Sequence, residues 1–263
     1  MKRVFSAVLF DLGGTLWDAF AGIPHEQVMR EATTRAAEAM LGPRASAEQV
    51  DKLALGIVWR ANARRADREA AAKVSFADPV FREDDIGSTL VEAGRPFQVE
   101  ADAEIALAFG RDLCKYDRPF PETIPVLQKL RSARPELKIG IVSNTVVQPE
   151  VIDHYLAEQG ILPLVDFRIL SSELGWRKPH PAIYAAALSK AGVRPEEALF
   201  VGDRLLEDIQ GPARLGIPGV LRLPPPPAET PDKVKTATGV SDRSRPLGVI
   251  RDLYGVLPLL SIE

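Results

Sequence analysis

Cysteine is all but missing from this chain. Cys114 stands alone, so neither an internal disulfide nor a metal site built from several thiolates is available. Histidine is scarce too: His25, His154 and His180 are scattered, with no HExxH or His-rich zinc pattern. Long apolar runs are lacking. The longest candidate near the N-terminus, Val4–Phe10, is too short to span a bilayer, and Asp11 interrupts it. That argues against a signal peptide and a spanning helix. Neither charge dominates, with 33 Lys and Arg against 36 Asp and Glu and a net charge of -3. Without a basic surplus to neutralise a polymer's phosphates, nucleic-acid binding is disfavoured. What is there is ordinary for a globular chain: 263 residues, 46% apolar and 26% charged, enough for one large domain or two modest ones. These features predict a reduced, soluble, cytoplasmic protein without membrane or nucleic-acid partners, and leave its oligomeric state open.

The apolar segments are short and evenly placed. VFSAVLF at 4–10 ends at Asp-Leu-Gly-Gly, the pattern of a buried strand entering a tight turn. LKIGIV at 137–142, EALFV at 197–201 and GVLRL at 219–223 repeat it, each after a helical stretch. The helix before the third, PAIYAAALSKAG, ends at Gly192, which suits a helix C-terminus. Another helix, QPEVIDHYLAEQG, and a weaker strand at 166–170 lie between the second and third. This alternation predicts right-handed βαβ units and a doubly wound, parallel α/β sheet.

Residues 18–118 break the rhythm and read as four or five helices with no strand. Ser46-Ala-Glu-Gln49 is a capping-box pattern, predicted to open a helix that runs to about Lys73. Residues 99–116 form another long helical candidate. Inserted after the first strand, this block would overhang the C-terminal edge of the sheet, where ligands bind in open α/β folds. The expected division is an α/β core of residues 1–17 plus 119–263 and a helical lid of 18–118. Pro224–Pro227 reads as an exposed connection, and LGVIRDLYGVLPLL as a segment closing the core.

Four polar features fall at or just past strand ends. Asp11 stands in FDLGGTLWD; Ser143 and Asn144 follow the second strand in IGIVSNT. Lys178, in GWRKPH, precedes a helix with Pro179 expected in its first turn, and Asp203, in LFVGDRLLED, has Asp208 five residues on. Carboxylate, hydroxyl, ammonium and carboxylate on one sheet edge suit a phosphate and a divalent cation.

With these motifs the chain resembles the haloacid dehalogenase (HAD) superfamily of hydrolases, and the helical block resembles that family's first type of cap. The resemblance implies a Rossmann-like core and a nucleophilic Asp11 that forms an aspartyl-enzyme intermediate. It implies Mg2+ held by Asp11, Asp203 and the backbone carbonyl of Gly13. Ser143 would donate to the transferring group and Lys178 would offset the repulsion between Asp11 and an anionic substrate. Gly14 and Asn144 are expected at the substrate. Asp208 would orient a metal-bound water or be a helix-end charge.

One position departs from the pattern. The family's phosphatases carry a second Asp, the general acid, two residues after the nucleophile; here that position is Gly13. Asp18 is the nearest replacement by sequence. Three readings follow: a Mg2+-dependent phosphatase of small metabolites, a hydrolase of another bond, or a weak or inactive binding protein. Against dehalogenation, those enzymes carry Tyr at position 13 and use no metal. Against phosphonate cleavage, none of Lys52, Lys73 and Lys115 has a recognisable Schiff-base context. In the lid, Arg60, Arg64 and Arg68 share a helical face that is either solvated or an anion-selective wall. Trp17 and Trp176 belong either to the pocket floor or to the core and hinge.

Overall fold

The computed structural model describes residues 4–62, 65–83, 85–223 and 245–262; the proline run and Arg64 lie outside them. Its strands are β1 (Ala7–Phe10), β2 (Trp17–Asp18), β3 (Arg118–Pro119), β4 (Lys138–Ser143), β5 (Phe167–Leu170), β6 (Ala198–Gly202), β7 (Gly219–Arg222) and β8 (Gly248–Ile250). Six form one parallel sheet in the order β5-β4-β1-β6-β7-β8. The first apolar run becomes a strand only from Ala7, where pairing with Lys138 and Ala198 begins; Val4 is exposed.

Each face of the sheet has its own core, because alternate strand residues point to opposite faces. Val8, Phe10, Ile139, Ile141, Leu199 and Val201 pack on one face. There they meet α6 (Thr123–Ala133) and α7 (Pro149–Glu158) through Val126, Leu130, Val151 and Leu156. Leu9, Val142 and Phe200 point the other way, onto Ile183, Tyr184 and Leu188 of α9 (Pro181–Ala191), which follows the short α8 (Ser171–Leu174). Helix α9 starts later than predicted. Pro181, not Pro179, occupies its first turn, and Lys178–Pro179 is a cis peptide in the loop before it. The chain's last segment buries Leu253, Val256 and Leu260 in the first core.

Between β2 and β3 lie α1 (His25–Leu41), α2 (Ala47–Asn62), α3 (Arg65–Ala72), α4 (Ile86–Gly94) and α5 (Ala103–Cys114). They enclose a separate core that includes Ala36, Leu53, Ile57, Leu90 and Phe109. The Ser46–Gln49 box forms as predicted: Gln49 N donates to Ser46 Oγ (3.3 Å) and Ser46 N to Gln49 Oε1 (2.9 Å). The helix it opens stops at Asn62 instead of reaching Lys73. Its docked face ends at Ile57, and none of the described side chains of the separate α3, at 67–72, is buried. The long helix predicted from residue 99 starts at Ala103, where the Asp102 carboxylate caps Ile105 N at 2.8 Å. Where the chain leaves and re-enters the sheet, Trp17 pairs with Pro119 and Asp18 with Arg118. This antiparallel ribbon replaces the strand-free boundary expected there; two residues are too few to show alternation.

Candidate active site

Strand β1 lies between β4 and β6, and that order assembles the site. Phe10 pairs with Ile141 on one side and Val201 on the other, so Asp11, Ser143 and Asp203 leave the same sheet edge. Lys178 arrives from the loop before α9. Its Nζ lies 2.7 Å from Asp11 Oδ1 and 2.7 Å from Asp208 Oδ1. Asn144 clasps the backbone of that loop: its amide donates to Lys178 O (3.0 Å) and Lys178 N donates to Asn144 Oδ1 (2.7 Å). Asn144 thereby orients the lysine.

Asp208 is fully buried and lies in the first turn of a helix, where the helix-end reading placed it. It sits in a π-helical turn, Leu205–Gln210, and its Oδ2 accepts from Arg204 N at 2.9 Å. A Cβ on Gly202 would fall 2.3 Å from its Cγ, so only glycine lets the carboxylate cross the end of β6. Carboxylate oxygens of Asp11, Asp203 and Asp208 all lie within 4.8 Å of one another. Three carboxylates crowd one buried ammonium, with the Arg204 guanidinium at the cavity wall beside them. Burial pulls the Lys178 ammonium down, but Asp11 and Asp208 more than reverse this and hold it charged. Burial pushes the Asp208 carboxyl up; Lys178 opposes this, while Asp11 and Asp203 add to it. A dense, largely buried set of oxygen donors suits a hard divalent cation.

The turn after Asp11 needs one glycine, and it is not the one in question. Gly14 has φ +80°, and a Cβ there would lie 2.8 Å from Asp203 Oδ2. Gly13 lies outside the left-handed region. A Cβ there would make ordinary contacts, 3.7 Å from Trp17 Nε1 and 3.9 Å from Ala19 Cβ. The turn is held from beneath by Arg222 of β7, whose guanidinium donates to Gly14 O (3.0 Å), Thr15 O (2.7 Å) and Glu122 (2.7 Å). Sequence reading passed over Arg222, although a lone arginine in GVLRL signals a buried charge needing partners.

Two cavities adjoin. A polar one of about 430 Å³ is lined by Asp11, Gly14, Ser143, Lys178 and Asp203, with His25, Arg177 and Glu207. A mostly apolar one of about 350 Å³ shares Gly13, Phe20, His25, Ser143 and Arg177 with it and extends to Trp17, Met29, Ile57 and Phe109. His25, from the start of α1, thus reaches the site from the helical block, as does Phe20. Asp18 is exposed and lines neither cavity, so it is no replacement acid. Trp17 lines the apolar cavity and is buried. Trp176 lines neither; it stacks on His180 at 3.9 Å and carries Arg82 over its face at 5.0 Å. Arg60 and Arg68 line neither cavity and pair with Glu92 (3.2 Å) and Glu83 (3.3 Å). Lys52, Lys73 and Lys115 also stay outside both cavities.

The topology and the strand-end residues define a class, and comparison with known proteins agrees. The family described as haloacid dehalogenase-like hydrolase matches residues 5–216, and this chain belongs to it. A glyceraldehyde 3-phosphate phosphatase of Methanopyrus kandleri is 37% identical over 102 residues, 39% of this chain and 42% of that protein. A phosphoserine phosphatase of Thermus thermophilus is 32% identical over 174 residues, 66% of each chain. The matched regions thus span from under half to just under two thirds of these relatives. The structure of a 2-haloacid dehalogenase from Pseudomonas syringae superimposes with a TM-score of 0.59 at 23% identity, covering 98% of this chain and 99% of that one. That likeness shows the fold. Among the described residues no helix is long and apolar enough to cross a membrane.

Proposed function

We propose that this protein is a Mg2+-dependent phosphatase of small phosphorylated metabolites, with residues 18–118 acting as a cap over a core of 1–17 and 119–263. The carrying observation is the Asp11–Asp203–Asp208 cluster, with Lys178 bridging Asp11 and Asp208. Phosphatase relatives support the same reading. Asp11, Asp203 and the Gly13 carbonyl would hold Mg2+, with Asp208 behind them; the ion would neutralise charge on the phosphoryl oxygens. Asp11 attacks phosphorus, the bond to the leaving oxygen breaks, and an aspartyl phosphate forms that water then hydrolyses. Lys178 offsets repulsion between Asp11 and the incoming phosphate, and Ser143 donates to the phosphoryl group. Gly13 cannot protonate the leaving oxygen. His25 is the titratable side chain that the cap brings into the polar cavity, and it takes that role.

Calorimetry is expected to show Mg2+ binding that Asp203→Ala abolishes. Phosphate release from phenyl phosphate is expected to fall at least about a thousandfold in Asp11→Asn, as a poor nucleophile replaces a carboxylate. Binding unchanged in Asp203→Ala, or activity within tenfold of wild type in Asp11→Asn, would place the chemistry elsewhere.

A further inference from the structure

The cavity beside the phosphate site has the wrong lining for a polar leaving group. We infer that the apolar cavity of about 350 Å³ holds the alcohol part of the substrate, and that this part is apolar, aromatic or branched. This rests on the phosphatase reading above and narrows it to a substrate class. Met29 and Ile57 of the helical block and Phe109 and Leu113 of α5 form its walls, with Leu12 and Trp17 on the sheet side. A few hundred Å³ bounded mainly by such side chains is typical of sites that enclose an organic group.

Three of its charged groups are engaged with each other or with backbone. Arg177 and Glu83 pair at 2.8 Å, and Asp117 accepts from Phe20 N at 2.9 Å. The remaining polar lining, which includes Asn62, Asn144, Thr145 and His25, is minor beside the apolar walls. A zwitterionic or polyhydroxylated leaving group would therefore give up more hydration there than it regains. An apolar group loses nothing of that kind and gains from leaving water. The passage between the two cavities runs past Gly13 and Ser143, which line both. Gly13 adds no side chain to that passage, which joins the cavity at Asp11 to the apolar one. The missing carboxyl and the apolar chamber thus point to the same ligand.

The test compares benzylphosphonate with methylphosphonate, by calorimetry on the full chain with Mg2+. These probes share the phosphonate head and differ in the ring. Benzylphosphonate is expected to bind at least about tenfold more tightly, the discrimination an apolar pocket supplies. Met29→Gln and Leu113→Gln, both at partly buried wall positions, are expected to cut that ratio below about threefold. Two variants are used so that one misfolding, checked by circular dichroism, leaves the other. Equal affinity for the probes, no binding of either, or an unaltered ratio in a folded variant overturns the inference. The catalytic reading is scored separately, by phosphate release from methyl, glycerol and benzyl phosphates. Release without preference for benzyl sinks the inference and keeps the phosphatase. Preferential phosphonate binding without release from any ester does the reverse.

Discussion

At residue scale, Gly13 stands where the family's phosphatases carry their general acid, beside the Asp11–Asp203–Asp208 cluster. Backbone φ permits a side chain there and the nearest atoms stand off at 3.7 Å, so Gly13→Asp is expected to fold. Turnover of alkyl phosphates, whose leaving oxygens need a proton, is expected to rise about ten- to a thousandfold. Aryl phosphates, which leave more readily, should gain much less. His25→Gln is expected to slow alkyl esters more than aryl ones, and Gly13→Asp to restore them in the His25→Gln background. Steady-state rates against leaving-group basicity read both effects. Equal losses on alkyl and aryl esters in His25→Gln would make His25 a binding residue rather than the acid.

At the scale of elements, the ribbon of β2 and β3 carries both crossings of the helical block, and Asp117 ties them. Its carboxylate accepts from Phe20 N at 2.9 Å, while Gln159 donates to its backbone carbonyl at 2.8 Å. Phe20 and Ala21 both hold positive φ, 71° and 43°, a conformation that L side chains adopt only when their surroundings impose it. Burial pushes the Asp117 carboxyl up to about 6, against the hydrogen bond from Phe20. A carboxyl raised in the folded state favours folding fully below its unfolded value near 4. That contribution is lost as pH rises through about 6. Its size is about 3 kcal/mol at most. Asp117→Asn keeps an acceptor for Phe20 N and removes the titration. Urea unfolding between pH 4 and 7 is therefore expected to show wild type losing more stability than the variant. Parallel curves would mean that Asp117 is ionised throughout.

At the scale of the whole molecule, the helical block touches the core at a second place besides the ribbon. Glu83 N donates to Gly175 O (3.1 Å) and Arg177 N to Phe81 O (3.0 Å). The buried Glu83 carboxylate accepts from Arg177 (2.8 Å), Arg68 (3.3 Å) and Ser171 (3.3 Å). This strap immediately precedes Lys178, so any movement of the block about segments 17–21 and 116–121 must open it. Glu83→Gln keeps the shape but removes a charge that holds two guanidinium groups, and such a loss is costly when buried. Hydrogen exchange at residues 81–83 and 175–177 is expected to speed up in the variant, and in wild type to slow when a phosphate-mimicking metal fluoride binds. Exchange that is unchanged in both comparisons would rule out a cap that opens and closes here.

Much of this protein was legible in one dimension, because strand ends carry their own punctuation. Apolar runs of five to seven residues stopping just before Asp11, Ser143 and the Gly202–Asp203 pair predicted both the parallel sheet and the edge on which those residues meet. Local chemistry sufficed at the Ser46 cap and at Gly192, which has φ +67°. Three features were decided only by the tertiary fold. Gly14, not Gly13, bears the steric demand of the turn, since Asp203 arrives against it from another strand. His25 enters the site and Asp18 leaves it, since the ribbon between Trp17 and Pro119 sets the direction in which the chain departs. The apolar cavity arises where α1, α2 and α5 meet the sheet edge, between residues as far apart in sequence as Leu12 and Arg177. Spacing along a chain encodes the faces of single elements. Which faces meet is settled by long-range packing, and so is the shape of the space left between them.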